Sequence, residues 1–259
     1  MDYIFNIPSR KNIKLEQVMK RIREDKKLNV FWKCANTMAI DRMGYTDHGP
    51  THVKIVANLA LKLLRILLNL NIEPSIVKNY GLTNEDAEVV VVLGSIFHDI
   101  GMVVIRNDHE KYSALLAAEF IEKFLTSIYC EEERAIITSE VLHAIVAHEQ
   151  PNIPLTLEAG IVGIADALDM DEGRARIPFE AGKIDIHSIS ALSIEKVEII
   201  EGKKTPITIK ILMSDAAGVF QIDELLKPRI EKSGLKEYFH VTAEISCNKN
   251  QQIIEKFEI

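Results

Sequence analysis

The chain has 259 residues and a mass of 29.2 kDa; 47% of it is hydrophobic and 27% charged, with 12 glycines and 8 prolines. That composition describes a folded globular protein and excludes a disordered, collagen-like or disulfide-stapled chain. The 31 basic side chains against 38 acidic ones give a net charge of −7, the wrong sign for gripping a long nucleic acid by neutralising phosphates.

Residues 1–14 carry Asp2, Asn6, Arg10 and Lys11 among apolar residues and contain no signal-peptide core, so no export is expected. Cys34, Cys130 and Cys247 are far apart and lack CxxC spacing, which fits reduced thiols in a cytoplasmic protein and offers no thiolate zinc site. From Leu15 to about Met170 the apolar residues recur at helical spacing, in segments near 15–30, 50–70, 84–100, 109–127, 131–148 and 155–170. Polar residues Asn58, Lys62, Arg65 and Asn69 interrupt the most apolar stretch, which therefore reads as a core helix and not as a membrane span. Pro50 stands where a first helical turn accepts proline, Thr83 with Asp86 forms a capping-box pattern, and Pro151 and Pro154 break the chain before the last of these helices.

Beyond about Gly182 the pattern changes to β-rich runs at 194–200, 205–213, 238–247 and 253–259, with a helical stretch at 221–232 between the second and third. The predicted fold class is mainly α: a helical domain over 1–182, then a small α+β module of order ββαββ over 183–259. The module holds 11 basic and 12 acidic residues, leaving 20 and 26 for the helical part, so neither part is a basic arm. Ile207, Ile209, Ile211 and Met213 alternate as one packed sheet face requires.

Six of the eight histidines, His48, His52, His98, His109, His143 and His148, fall in the helical part. The sharpest unit is Phe97-His98-Asp99-Ile100-Gly101, in which Gly101 is placed to close a helix with His98 and Asp99 in its last turn. A carboxylate there faces the negative end of the helix dipole among apolar neighbours and needs a cation, either a basic side chain or a metal. His52 lies in the turn that Pro50 opens, and His48 is an optional extra ligand. His109 opens the next helix. His143 and His148 are five apart, about 140° around a helix, so one of them could lie outside the ligand set. Asp166 sits on an apolar helix made close-packed by Gly163 and its alanines and also wants a cation, whereas Asp169 and Asp171 read as solvated residues at the helix end. Arg174 and Arg176 alternate around Ala175, which predicts an extended stretch with both guanidinium groups on one side, suited either to phosphate oxygens or to ordinary acidic neighbours at the surface.

The ordered set His52, His98-Asp99, His109, His143 and His148, Asp166 resembles the HD-domain superfamily of metal-dependent phosphohydrolases over roughly residues 45–175. The four core positions correspond to His52, His98, Asp99 and Asp166. The added histidines resemble the two-metal branch, which includes the HD-GYP cyclic-dinucleotide phosphodiesterases. The chain departs from HD-GYP in having Met102 after His-Asp-Ile-Gly, Ala147-His148 in place of paired histidines, and Gln150-Pro151-Asn152-Ile153-Pro154 in place of the Gly-Tyr-Pro loop.

This resemblance implies an HD-domain helical bundle and a phosphohydrolase that cleaves a phosphoester of a small molecule, a nucleotide or cyclic nucleotide, by attack of a metal-bound hydroxide. His98 and Asp99 are the catalytic candidates. Imidazole mixed with carboxylate suits two divalent ions drawn from manganese, iron, cobalt, nickel and zinc, with magnesium also admissible. Asp99 is the bridging candidate: His52, Asp99 and Asp166 hold one ion, His109 with His148 or His143 holds the other, and His98 completes either. Arg174 and Arg176 take the substrate phosphate. The alternatives are a di-iron oxygenase on the same architecture and a non-catalytic nucleotide-sensing or assembly module. The expected partner is a small phosphorylated substrate, with no membrane, and the C-terminal module is a candidate regulatory or homo-oligomer contact.

Overall fold

The computed structural model describes residues 6–170, 186–202, 205–246 and 256–258. The helical part runs α1 (Ile13–Glu24), α2 (Lys26–Asn36, continued by a π turn Thr37–Arg42), α3 (Pro50–Asn69), α4 (Ser75–Tyr80), α5 (Asn84–Phe97), α6 (His109–Leu125), α7 (Glu131–Ala147) and α8 (Leu157–Ala167). The single helix expected over 15–30 is instead two. Asp25 takes an extended conformation and its carboxylate accepts from Leu28 N–H, capping α2, while its own N–H closes α1 on the Ile22 carbonyl. The short α4 carried no sequence signal. It is held from a distance by Glu158, whose carboxylate accepts from the Ser75 and Ile76 amides.

Helix α5 is the centre of the bundle. Every residue from Asp86 to Phe97 is buried, as befits a helix that is apolar all round, and it packs against α1, α3, α4, α6, α7 and α8. Its start is fixed by the Thr83–Asp86 capping box. Pro50 is the first residue of α3, and Asn36 at the end of α2 clamps that entry by accepting from the His48 amide.

The module begins with α9 (Ile186–Leu192), followed by β1 (Ile194–Glu201), β2 (Ile207–Met213), a helix α10 over 219–232, β3 (Phe239–Ile245) and β4 (Lys256–Glu258). The sheet order is β1-β2-β3-β4, with β1/β2 and β3/β4 antiparallel and β2/β3 parallel. Parallel neighbours need a crossover, which α10 supplies. Ile207, Ile209, Ile211 and Met213 are buried with Ile222, Leu226 and Ile230 of α10, and these residues join the same apolar cluster as the helical bundle. Contact between the two parts is close at α8: a methyl group on Gly160 would stand 2.8 Å from the Ser233 carbonyl oxygen. The expected boundary at 182/183 lies outside the described residues. No helix among the described residues is long and apolar enough to cross a membrane.

Candidate metal centre

Five helix ends meet at one end of the bundle. His52 comes from the first turn of α3 and His109 from the first residue of α6; His98 caps the end of α5, His148 caps the end of α7, and Asp166 lies in the last turn of α8. Three carboxyl-terminal helix ends against two amino-terminal ones leave the helix dipoles' partial charge here net negative, which favours a cation.

The ring atoms converge. His52 Nε2 lies 3.1 Å from His98 Nε2, 3.2 Å from Asp99 Oδ2 and 3.3 Å from Asp166 Oδ1. His109 Nε2 lies 3.3 Å from His148 Nε2 and 3.0 Å from Asp99 Oδ1. Asp99 thus stands between two halves: Oδ2 faces His52 and His98, and Oδ1 faces His109 and, at 3.8 Å, His148.

The opposite ring nitrogens are engaged by the protein. His98 Nδ1 meets the Ser95 carbonyl at 2.7 Å and His148 Nδ1 meets the Ile145 carbonyl at 2.5 Å, each three residues back in the last turn, where helix carbonyls lack a partner. His52 Nδ1 lies 2.5 Å from the Asp169 carboxylate. With Nδ1 donating, the neutral imidazoles of His52, His98 and His148 present bare Nε2 lone pairs to one another and to carboxylate oxygens. Such a donor set is self-repelling until a cation enters. In the absence of metal the cation is a proton: burial works to lower the His98 pKa, but the Asp99 and Asp166 carboxylates outweigh it and raise it to about 9. The same proximity, against the opposing effect of burial, holds Asp99 and Asp166 well below the usual carboxylate range, while burial and the neighbouring His98 charge push His148 well below its usual value. Buried imidazole and carboxylate of this kind fit a divalent first-row ion.

Among the described residues, three groupings have ligand atoms within 4.8 Å of one another: His52, His98 and Asp166; His98, Asp99 and His148; His109, His148 and Glu149. Two expected residues are in none of them among the described residues. His143, considered as a ligand, is turned away: its Nε2 accepts from the Leu155 amide at 2.9 Å, because the 140° separation from His148 leaves only one of the pair facing the centre. His48 lies outside α3, with Nδ1 2.7 Å from the Thr46 carbonyl and its ring 5.8 Å from that of His52; its charge still helps to lower the Asp99 pKa. Arg174, Arg176 and Asp171 lie outside the described residues.

Sequence reasoning missed three groups. Asp169, read as solvated, is buried against His52; its position three residues after Asp166, one helical turn on, was the available signal. Glu149 directly follows His148, and Arg106 lies three residues before His109, with Nη1 2.8 Å from that ring's Nδ1. Gly101 does not close α5. It sits in a 3₁₀ turn, Ile100–Val103, where an added methyl group would collide with the His109 carbonyl oxygen and lie 2.5 Å from the Ser113 amide nitrogen. The glycine is there to let the His109 segment approach.

A family model described as HD domain matches residues 50–171, which contain all the converging residues. The uncharacterized protein MJ1020 of Methanocaldococcus jannaschii is 45% identical over 244 residues, covering 94% of this chain and 93% of that protein. The chain belongs to the HD-domain superfamily. HD domains are metal-dependent phosphohydrolases that bind divalent metals, and the His/Asp cluster of this HD domain has the donors to hold them.

Proposed function

We propose that this HD domain hydrolyses a phosphoester of a small phosphorylated molecule, a nucleotide or cyclic nucleotide, using two divalent ions. The observation that carries the reading is Asp99, whose two oxygens are divided between the His52/His98 pair and the His109/His148 pair. A carboxylate so divided suits a bridging role, with His52, His98 and Asp166 on one side and His109 and His148 on the other.

When bound there, divalent ions supply Lewis acidity toward phosphoryl oxygens and water. The chain's own residues do the positioning. Ser95, Ile145 and Asp169 fix the His98, His148 and His52 rings with Nε2 directed into the centre. An open pocket of about 610 Å³ adjoins His109 and Glu149 and is bordered by Tyr45, Arg106, Asn107 and Lys111. Arg106 supplies positive charge for a phosphate there, and Tyr45 an aromatic face. Arg174 and Arg176 are assigned to the same phosphate-binding task. A covalent step through the nearby Ser95 has no support, since its hydroxyl is committed to the Val91 carbonyl at 2.7 Å.

The test is metal analysis of protein purified without chelator, followed by a panel of nucleoside monophosphates, cyclic nucleotides and sugar phosphates with that metal restored. Turnover that depends on the metal and disappears in Asp99→Ala supports the reading. Tight nucleotide binding without turnover under every metal would replace it with a sensing module, and an oxygen requirement with two irons per chain would replace it with an oxygenase.

A further inference from the structure

The carboxylate beside His109 and His148 is held from outside the HD bundle. Glu149 Oε2 lies 3.3 Å from Nη2 of Arg229, which is on α10 of the C-terminal module, and Oε1 lies 3.7 Å from Nη2 of Arg106. The same helix reaches the next residue as well, with Lys232 Nζ donating to Gln150 Oε1 at 3.1 Å. Arg229 is largely enclosed, its side chain 14% exposed, and its buried Nη1 finds no hydrogen-bond partner among the described residues. A guanidinium sequestered with one nitrogen unpaired is costly, and its carboxylate contact in the described structure is Glu149, at the edge of the donor cluster.

We infer that Glu149 is the carboxylate ligand of the second ion and that Arg229 is its positioning residue, so that the C-terminal module completes the metal centre. The inference rests on the two-ion reading above. Glutamate has three rotatable side-chain bonds, and Glu149 lies beyond the end of α7, where no helical neighbour fixes it. A planar guanidinium hydrogen-bonded to Oε2 restricts that freedom, while Oε1, 3.7 Å from Arg106 and so beyond hydrogen-bond distance of it, keeps lone pairs for an ion. Partners of this outer kind change metal affinity by about 10–100-fold when removed.

The experiment is titration of the full-length chain with Mn(II) and Co(II) against a competing chelator, with the visible cobalt spectrum recorded, for wild type, Arg229→Gln, Arg229→Lys, Glu149→Gln and the Arg229→Gln/Glu149→Gln double variant. In Arg229→Gln the ion at His109, His148 and Glu149 should lose about tenfold or more in affinity and its cobalt bands should shift, while the ion at His52, His98 and Asp166 is unchanged. Arg229→Lys should recover part of the loss. Glu149→Gln should weaken the same ion, and adding Arg229→Gln to it should bring little further change, because the arginine acts through that carboxylate. Circular dichroism and Tm identify any variant that has lost its fold, and the Lys variant then carries the comparison. Unchanged or tighter binding in Arg229→Gln, or full additivity in the double variant, overturns the inference. A wild-type protein whose ion content is insensitive to His109→Ala and His148→Ala overturns the two-ion reading itself and takes the inference with it.

Discussion

The carboxylate of Asp169 lies 2.5 Å from His52 Nδ1, the ring nitrogen opposite the one that meets His98 and Asp166. It fixes the tautomer that leaves Nε2 free of a proton and raises the basicity of the ring. Asp169→Ala is therefore expected to lower metal affinity at the His52 position by about 10–100-fold without unfolding the protein. Metal content after graded chelator treatment measures it, and wild-type retention would show the contact to be only structural.

Replacing His98 or Asp99 by alanine should remove metal and activity together, because Asp99 faces both halves of the cluster. Elemental analysis of the purified variants is the check. Full metal content in both variants would contradict the ligand assignment.

His143 and His148 should separate cleanly. His148→Ala is expected to lose an ion, whereas His143→Ala keeps the metal and loses stability by about 0.5–1.5 kcal/mol, the value of one hydrogen bond to the Leu155 amide. Urea unfolding alongside metal analysis distinguishes the two.

Metal binding should release protons. In the metal-free protein the His98 pKa is raised from 6.5 to about 9. A folded-state pKa above the unfolded value means that this proton's contribution to stability is complete below pH 6.5 and is lost as the pH rises through about 9. A divalent ion displaces the same proton, so apparent metal affinity should climb with pH up to about 9 and then level. Calorimetry in buffers of different ionisation enthalpy reads the released protons. Their absence near neutral pH would show that His98 is not a ligand.

Gly101→Ala should cost about 1–3 kcal/mol, since a methyl group there meets the His109 carbonyl and the Ser113 amide, which are backbone and cannot swing aside. The accompanying shift of His109 should weaken metal binding. An alanine variant with wild-type Tm and metal content would mean that the two segments separate freely.

Much of this protein is determined by local chemistry that a sequence displays. Pro50, the Thr83–Asp86 box and the 2-residue alternation of Ile207 to Met213 each act within a turn or two of chain, and the structure has the corresponding elements. The order of His52, His98-Asp99 and Asp166 is legible as a motif spread along the chain, and the structure brings those four side chains together. The choice of His148 over His143, the burial of Asp169 and the reach of Arg229 to Glu149 were decided only by tertiary packing. Helical periodicity gives the direction of a side chain around its own axis, but not which other helix ends will lie beside it. A polar residue at a helix end looks the same in sequence whether water or a buried imidazole awaits it.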